Sequence, residues 1–146
     1  MMPLDILLVE DNEGDVEIVE RALEEGPLPC RLAVAHNGLE ALAYLRQEGR
    51  FETAARPELI LLDINMPGMD GKQLLETIKQ EQGLKIIPAI MLTSSSAPGD
   101  VRQCYERHAN GYVVKPFDAP VFIRAVQEVV HFWATRIRLP SRANAR

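Results

Sequence analysis

Several short stretches of this 146-residue chain end an apolar run in a group able to do chemistry. "LDILLV" runs into Glu10 and Asp11, "LILL" into Asp63, "AIML" into Thr93 and "GYVV" into Lys115, with Pro116 next. Three carboxylates gathered at one place repel one another unless a cation lies among them. A donor set made of oxygens favours a hard ion. Mg²⁺ suits it, because it keeps several waters and takes only a couple of carboxylates. Asn65, two residues past Asp63, can add its backbone carbonyl to Glu10, Asp11 and Asp63 as metal ligands. Lys115 supplies a positive charge and Thr93 a hydroxyl. That set suits phosphoryl transfer to a carboxylate, in which cations neutralise the phosphoryl oxygens and a hydroxyl donates to one of them. An aspartate can itself be the nucleophile and form an acyl phosphate. Asp63 is the best candidate, because Glu10 and Asp11 share a strand end and are both drawn to the metal.

The elements that must position these groups follow from the hydrophobic pattern. Leu4–Val9, Arg31–Ala35, Leu59–Asp63, Ala89–Thr93 and Gly111–Val114 read as short strands. Between them lie helical patterns. Asn12 can cap the first, with Asp15 in its first turn to suit the helix dipole. Val16, Val19 and Leu23 form its stripe, and Gly26-Pro27 ends it. Gly38–Gln47 reads as a helix with Leu39, Leu42 and Leu45 inward, and Lys72–Gln80 as one with Leu74, Leu75 and Ile78 inward. Pro98–Arg107 is poorer in large apolar residues, and Pro120–Ile137 is opened by Asp118 as a cap. "EGRFETAARP" reads as a surface loop and "RLPSRANAR" as a flexible basic end. Strands alternating with helices predict an α/β fold: a doubly wound, five-stranded parallel sheet with helices on both faces, order 2-1-3-4-5. In such sheets the site lies beyond the carboxyl ends of the strands, near the switch point. The chemically able residues all sit at those ends.

Bulk properties agree. The length suits one domain, and 47% hydrophobic residues suit a globular core. A formal net charge of -5 argues against a general nucleic-acid surface. Cys30 and Cys104 lack disulfide or zinc spacing and read as small buried hydrophobes. The N-terminus lacks a basic leader, and no apolar run approaches the roughly 18 residues of a membrane span, so the reading is a cytoplasmic protein.

Four motifs in order, Glu10-Asp11, "LLDINMPGMDG", "LTS" and "GYVVKPF", identify a resemblance to the receiver domains of two-component response regulators, with their flavodoxin-like fold. The resemblance spans roughly Leu4 to Ile137, so residues 1–137 are expected to form the receiver and 138–146 a tail without an output domain. It implies that Asp63 accepts a phosphoryl group from a histidine kinase, and that Asp11, Asp63 and the Asn65 carbonyl hold Mg²⁺. It further implies that Glu10 supports the metal through water, that Thr93 and Lys115 bind the aspartyl phosphate, and that Tyr112 is the switch aromatic. Glu10 departs from the Asp that many receivers carry there, which lengthens the side chain. "ALAYLRQEG", "RPELILLDINMPG" and Phe132-Trp133 resemble single-domain receivers that partner phytochromes, which implies a bacteriophytochrome kinase upstream.

Glu10-Asp11 taken alone would be solvated acids leading into a helix. His36, His108 and His131 have no ligand spacing and read as surface or boundary residues. On the last helix, Phe122, Val126, Val129 and Trp133 form one stripe and Ile123, Val130 and Ile137 an adjacent one. That is more than one core-facing side needs, and it points to a homodimer through this helix. Output is then by protein contact, without DNA or membrane. A phosphorelay intermediate remains open. An aspartyl-phosphate hydrolase would carry a second acid where this chain has Asn65, and a cap domain for which no insertion is large enough.

Overall fold

The computed structural model describes residues 2–143. Five parallel strands form a single sheet: β1 (Leu4–Val9), β2 (Cys30–Ala35), β3 (Leu59–Leu62), β4 (Ala89–Thr93) and β5 (Gly111–Val114). Their spatial order is β2-β1-β3-β4-β5, as the alternating pattern predicts. The helices are α1 (Glu13–Glu25), α2 (Gly38–Leu45), α3 (Gly71–Gln80), α4 (Pro98–Glu106) and α5 (Ala119–Thr135). Among the described residues no helix is long and apolar enough to cross a membrane.

Period-2 alternation divides the strand side chains between two cores. Leu7, Val9, Ile60, Leu62 and Met91 meet α2, α3 and α4 through Leu42, Leu45, Leu74, Leu75, Ile78 and Cys104. Leu4, Ile6, Leu8, Leu61 and Leu92 meet α1 and α5 through Val16, Val19, Phe122, Val126 and Val130. β1 and β3 are therefore buried on both faces, which is why they read as continuous apolar runs. The helices start where polar caps are available. Asn12, Asn37 and Asp118 each accept a backbone N–H of the following first turn, and Asp70 with Gln73 forms a reciprocal capping box.

The structure corrects several details. Leu39, expected inward, is 71% exposed. The inward stripe of α2 is Gly38, Ala41, Leu42 and Leu45, a run of i, i+3, i+4 and i+7 that leaves Leu39 off the face. Gly38 fixes that rotation: a Cβ there would lie 2.9 Å from Met69 Sδ, so the helix start abuts the loop after β3. Val130, assigned to a second face of α5, lies in the core beside Phe122 and Val126, while Phe132 and Val121 are exposed. The loop before β3 holds a 3₁₀ turn over Gly49–Phe51.

The basic end, expected to be flexible, is docked up to the last described residue, with residues 144–146 outside the described part. Leu139 is buried in the α1/α5 core and a 3₁₀ turn spans Pro140–Arg142. Arg142 Nε donates to Glu58 Oε2 at 2.5 Å, Ser141 Oγ to the same oxygen at 2.8 Å, and Arg142 Nη2 to the carbonyl of Pro3 at 3.1 Å. Glu58, just before β3, thus anchors the chain's end to its beginning. Sequence reading missed this because the partner acid lies more than 80 positions away.

Candidate functional site

Strand register brings the acids together. Val9 pairs with Leu62, so Glu10 and Asp63 leave adjacent strands side by side. Asp63 N donates to the carbonyl of Val9 at 3.1 Å and Glu10 N to that of Ala35 at 2.9 Å, extending the ladder past the strands. On the other side, Thr93 pairs with Val114, and Lys115 N donates to the Thr93 carbonyl at 2.7 Å. The chemically able groups therefore meet at the carboxyl edge, at the switch point between β1 and β3.

Glu10, Asp63 and Thr93 are buried, whereas Asp11 is exposed. Carboxylate oxygens of Glu10, Asp11 and Asp63 all lie within 4.8 Å of one another. The Lys115 ammonium enters this group, 2.5 Å from Glu10 Oε1, 2.8 Å from Asp15 Oδ2 and 3.1 Å from Asp63 Oδ2. Burial pushes the Glu10 carboxyl up to about 7; the Lys115 bond opposes this and the neighbouring Asp63 charge reinforces it. Burial by itself would lower Lys115, but its bonds to Asp15 and Glu10 win and hold the ammonium above its ordinary value.

The surrounding backbone holds these side chains in place. Ile64 N donates to Asp63 Oδ1 at 2.7 Å, and Asn12 N to Glu10 Oε2 at 3.2 Å. Gly71 opens α3 against the acid: a Cβ there would lie 2.0 Å from the Asp63 carbonyl oxygen, and Gly71 N donates to the Ile64 carbonyl at 2.8 Å. The glycine of "MPGMDG" at 71 is thus required by close approach of two backbones.

Of the residues singled out in the sequence, Glu10, Asp11, Asp63 and Lys115 converge. Asn65 is exposed on the loop two residues past Asp63. Thr93 Oγ1 takes only a long bond, 3.4 Å, from Ser95 N. Tyr112 is half-buried and its hydroxyl donates to the Ser95 carbonyl at 2.8 Å. Sequence reading did not place four further residues at or beside the site. Lys72 Nζ and Ser95 Oγ each lie 2.5 Å from an oxygen of Asp100, tying α3, α4 and the loop after β4 together. Asp15 is the fourth acid at the crevice, and its signal was its place in the first turn of the helix that starts there.

The donor chemistry fits a hard divalent ion. Three carboxylates converge, one of them exposed to receive the ion, and no nitrogen or sulfur ligand is among them. Asp63 combines a buried carboxylate with a neighbouring ammonium, so negative charge added there would be met at once.

A doubly wound sheet with an acid-lined crevice, an adjoining ammonium and a strand-end hydroxyl defines a phosphoryl-receiver type of domain. Residues 6–127 match the model of the response regulator receiver domain, and the chain belongs to that family. It is 40% identical over 139 residues to the response regulator Rcp1 of Synechocystis sp., covering 95% of each chain. Among solved structures, the phosphorylated cyanobacterial phytochrome response regulator RcpA superposes with a TM-score of 0.91 at 37% identity, covering 95% of this chain and 99% of that one. The Mn²⁺-bound form of Rcp1 superposes with a TM-score of 0.88 at 40% identity, covering 94% and 99%.

Proposed function

We propose that this receiver accepts a phosphoryl group on Asp63 from a sensor histidine kinase in a Mg²⁺-dependent reaction, and signals by protein contact. The observation that carries this reading is the Asp63 carboxylate, buried and 3.1 Å from the Lys115 ammonium. In the transfer, the phosphorus–nitrogen bond of a phosphohistidine breaks and a phosphorus–oxygen bond to Asp63 forms, with the proton left on the donor imidazole. Glu10, Asp11, Asp63 and the Asn65 carbonyl are the residues that would hold the metal, which when bound neutralises charge on the phosphoryl oxygens.

Lys115 would pair with one phosphoryl oxygen. Thr93, whose hydroxyl is held only by a long bond, is free to turn and donate to another. Movement of Thr93 pulls on Ser95, and Ser95 holds the Tyr112 hydroxyl, so phosphorylation would reach the surface beside β5. Exposed Val121 and Phe132 on α5 support a homodimer through that helix. The likeness to RcpA, a phytochrome response regulator, supports a bacteriophytochrome as the kinase.

The test is intact mass after incubation with Mg²⁺ and acetyl phosphate, beside an Asp63→Asn variant. One labile phosphoryl is expected on the wild type and none on the variant; equal labelling of both would overturn the assignment.

A further inference from the structure

Asp15 has no part in either step of that reading. It lies outside the group of acids whose oxygens converge for a metal, and it is not the acceptor. Yet its Oδ2 lies 2.8 Å from Lys115 Nζ, nearer than Asp63 Oδ2 at 3.1 Å. Its position is fixed by the fold. It sits in the first turn of α1, and its backbone N–H is held by the capping Asn12 Oδ1 at 3.0 Å. The side chain is largely covered, 26% exposed.

An ammonium has three hydrogens, and in this state each one faces an acid: Glu10, Asp15 and Asp63. These acids differ in what happens next. A divalent cation draws on Glu10 and Asp63, and a phosphoryl group covers Asp63. Asp15 is touched by neither and keeps its full charge toward Lys115. To meet a phosphoryl oxygen, the ammonium must loosen its bond to Asp15.

We infer that Asp15 is a positioning residue that holds the Lys115 ammonium toward α1 and, by competing for it, sets how tightly Lys115 grips a phosphoryl group on Asp63. The inference rests on the reading of Asp63 as the acceptor. It has two consequences of opposite sign. Without the Asp15 charge, Lys115 is freer to bind a phosphoryl oxygen. The same freed ammonium leans harder on Glu10 and Asp63, so the metal-binding acids hold a cation less well.

The test compares wild type with Asp15→Asn, and with Asp15→Ala should the first variant fold poorly. Mg²⁺ affinity is measured alone, and beryllofluoride affinity at saturating Mg²⁺. The expected result is Mg²⁺ bound roughly two- to tenfold more weakly and beryllofluoride roughly two- to tenfold more tightly, the scale of one hydrogen bond. Both changes are expected to vanish in a Lys115→Met background. Unchanged affinities would overturn the inference, as would changes that persist without Lys115, since those would report only a lost charge near the crevice. A wild type that takes neither acetyl phosphate nor beryllofluoride would instead overturn the reading of Asp63, and this inference with it.

Discussion

The Lys115 ammonium lies 2.5 Å from Glu10 Oε1, although the two residues are 105 positions apart in the chain. The pair is almost fully buried, with side-chain exposures of 7% and 2%. Lys115 is thus the internal counter-ion of the acid cluster when no metal neutralises it. Lys115→Met leaves buried carboxylates unpaired. It should cost about 3 kcal/mol of metal-free stability at pH 8, and most of that should return with saturating Mg²⁺. The variant should also bind Mg²⁺ roughly tenfold or more tightly. Denaturant titrations with and without metal check both; equal losses in the two conditions would contradict this role.

Glu10 makes the site pH-sensitive. Its folded value of about 7 lies above the ordinary 4.5, so the folded chain holds a proton there that the unfolded chain has released. The Glu10 contribution to metal-free stability is then fully present below about 4.5 and declines toward pH 7, by on the order of 3 kcal/mol. Metal needs the ionised form, so Mg²⁺ affinity should rise by up to about tenfold per pH unit and level off above 7. Calorimetric Mg²⁺ titrations between pH 5.5 and 8 provide the check, and a flat profile would count against Glu10 as a ligand.

Gly71→Ala should be among the most damaging small substitutions. Its Cβ would lie 2.0 Å from the Asp63 carbonyl oxygen, which is backbone and cannot yield without moving Asp63. The expected loss is on the order of 3 kcal/mol or more. Thermal unfolding measures the stability, and acetyl phosphate labelling should fall with it.

The docked end should contribute to stability although it lies far from the crevice. Burial would raise the Glu58 carboxyl, but bonds from Arg142 and Ser141 prevail and hold it below its ordinary range. That contribution is present above about 4.5 and is lost as pH falls through the lowered value. Arg142→Ala should cost about 1–3 kcal/mol at pH 7, and the loss should shrink as pH falls through the lowered value. Acetyl phosphate labelling should be unaffected when measured well below the melting temperature.

Tyr112→Phe removes the hydroxyl bond to the Ser95 carbonyl and leaves the ring. A loss of about 1 kcal/mol is expected. Acetyl phosphate labelling should persist, while any phosphorylation-dependent change in sedimentation should weaken. Undiminished coupling would argue that Tyr112 only packs.

The sequence by itself determined the element types, the parallel sheet and the placement of Glu10, Asp11, Asp63, Thr93 and Lys115 at strand ends. These follow from local periodicity, turn residues and the few topologies that right-handed crossovers permit. Tertiary structure alone decided which partners those groups chose. Asp15 reads locally as a helix-dipole residue, and only the fold sets it against Lys115, 100 positions away. Leu39 turned outward because Gly38 abuts Met69, a contact between segments that periodicity does not see. Arg142 looked loose because its anchor, Glu58, lies 84 positions away, just before β3. A side chain's intrinsic chemistry is written in the chain, but the burial and neighbours that direct it depend on distances that only folding sets.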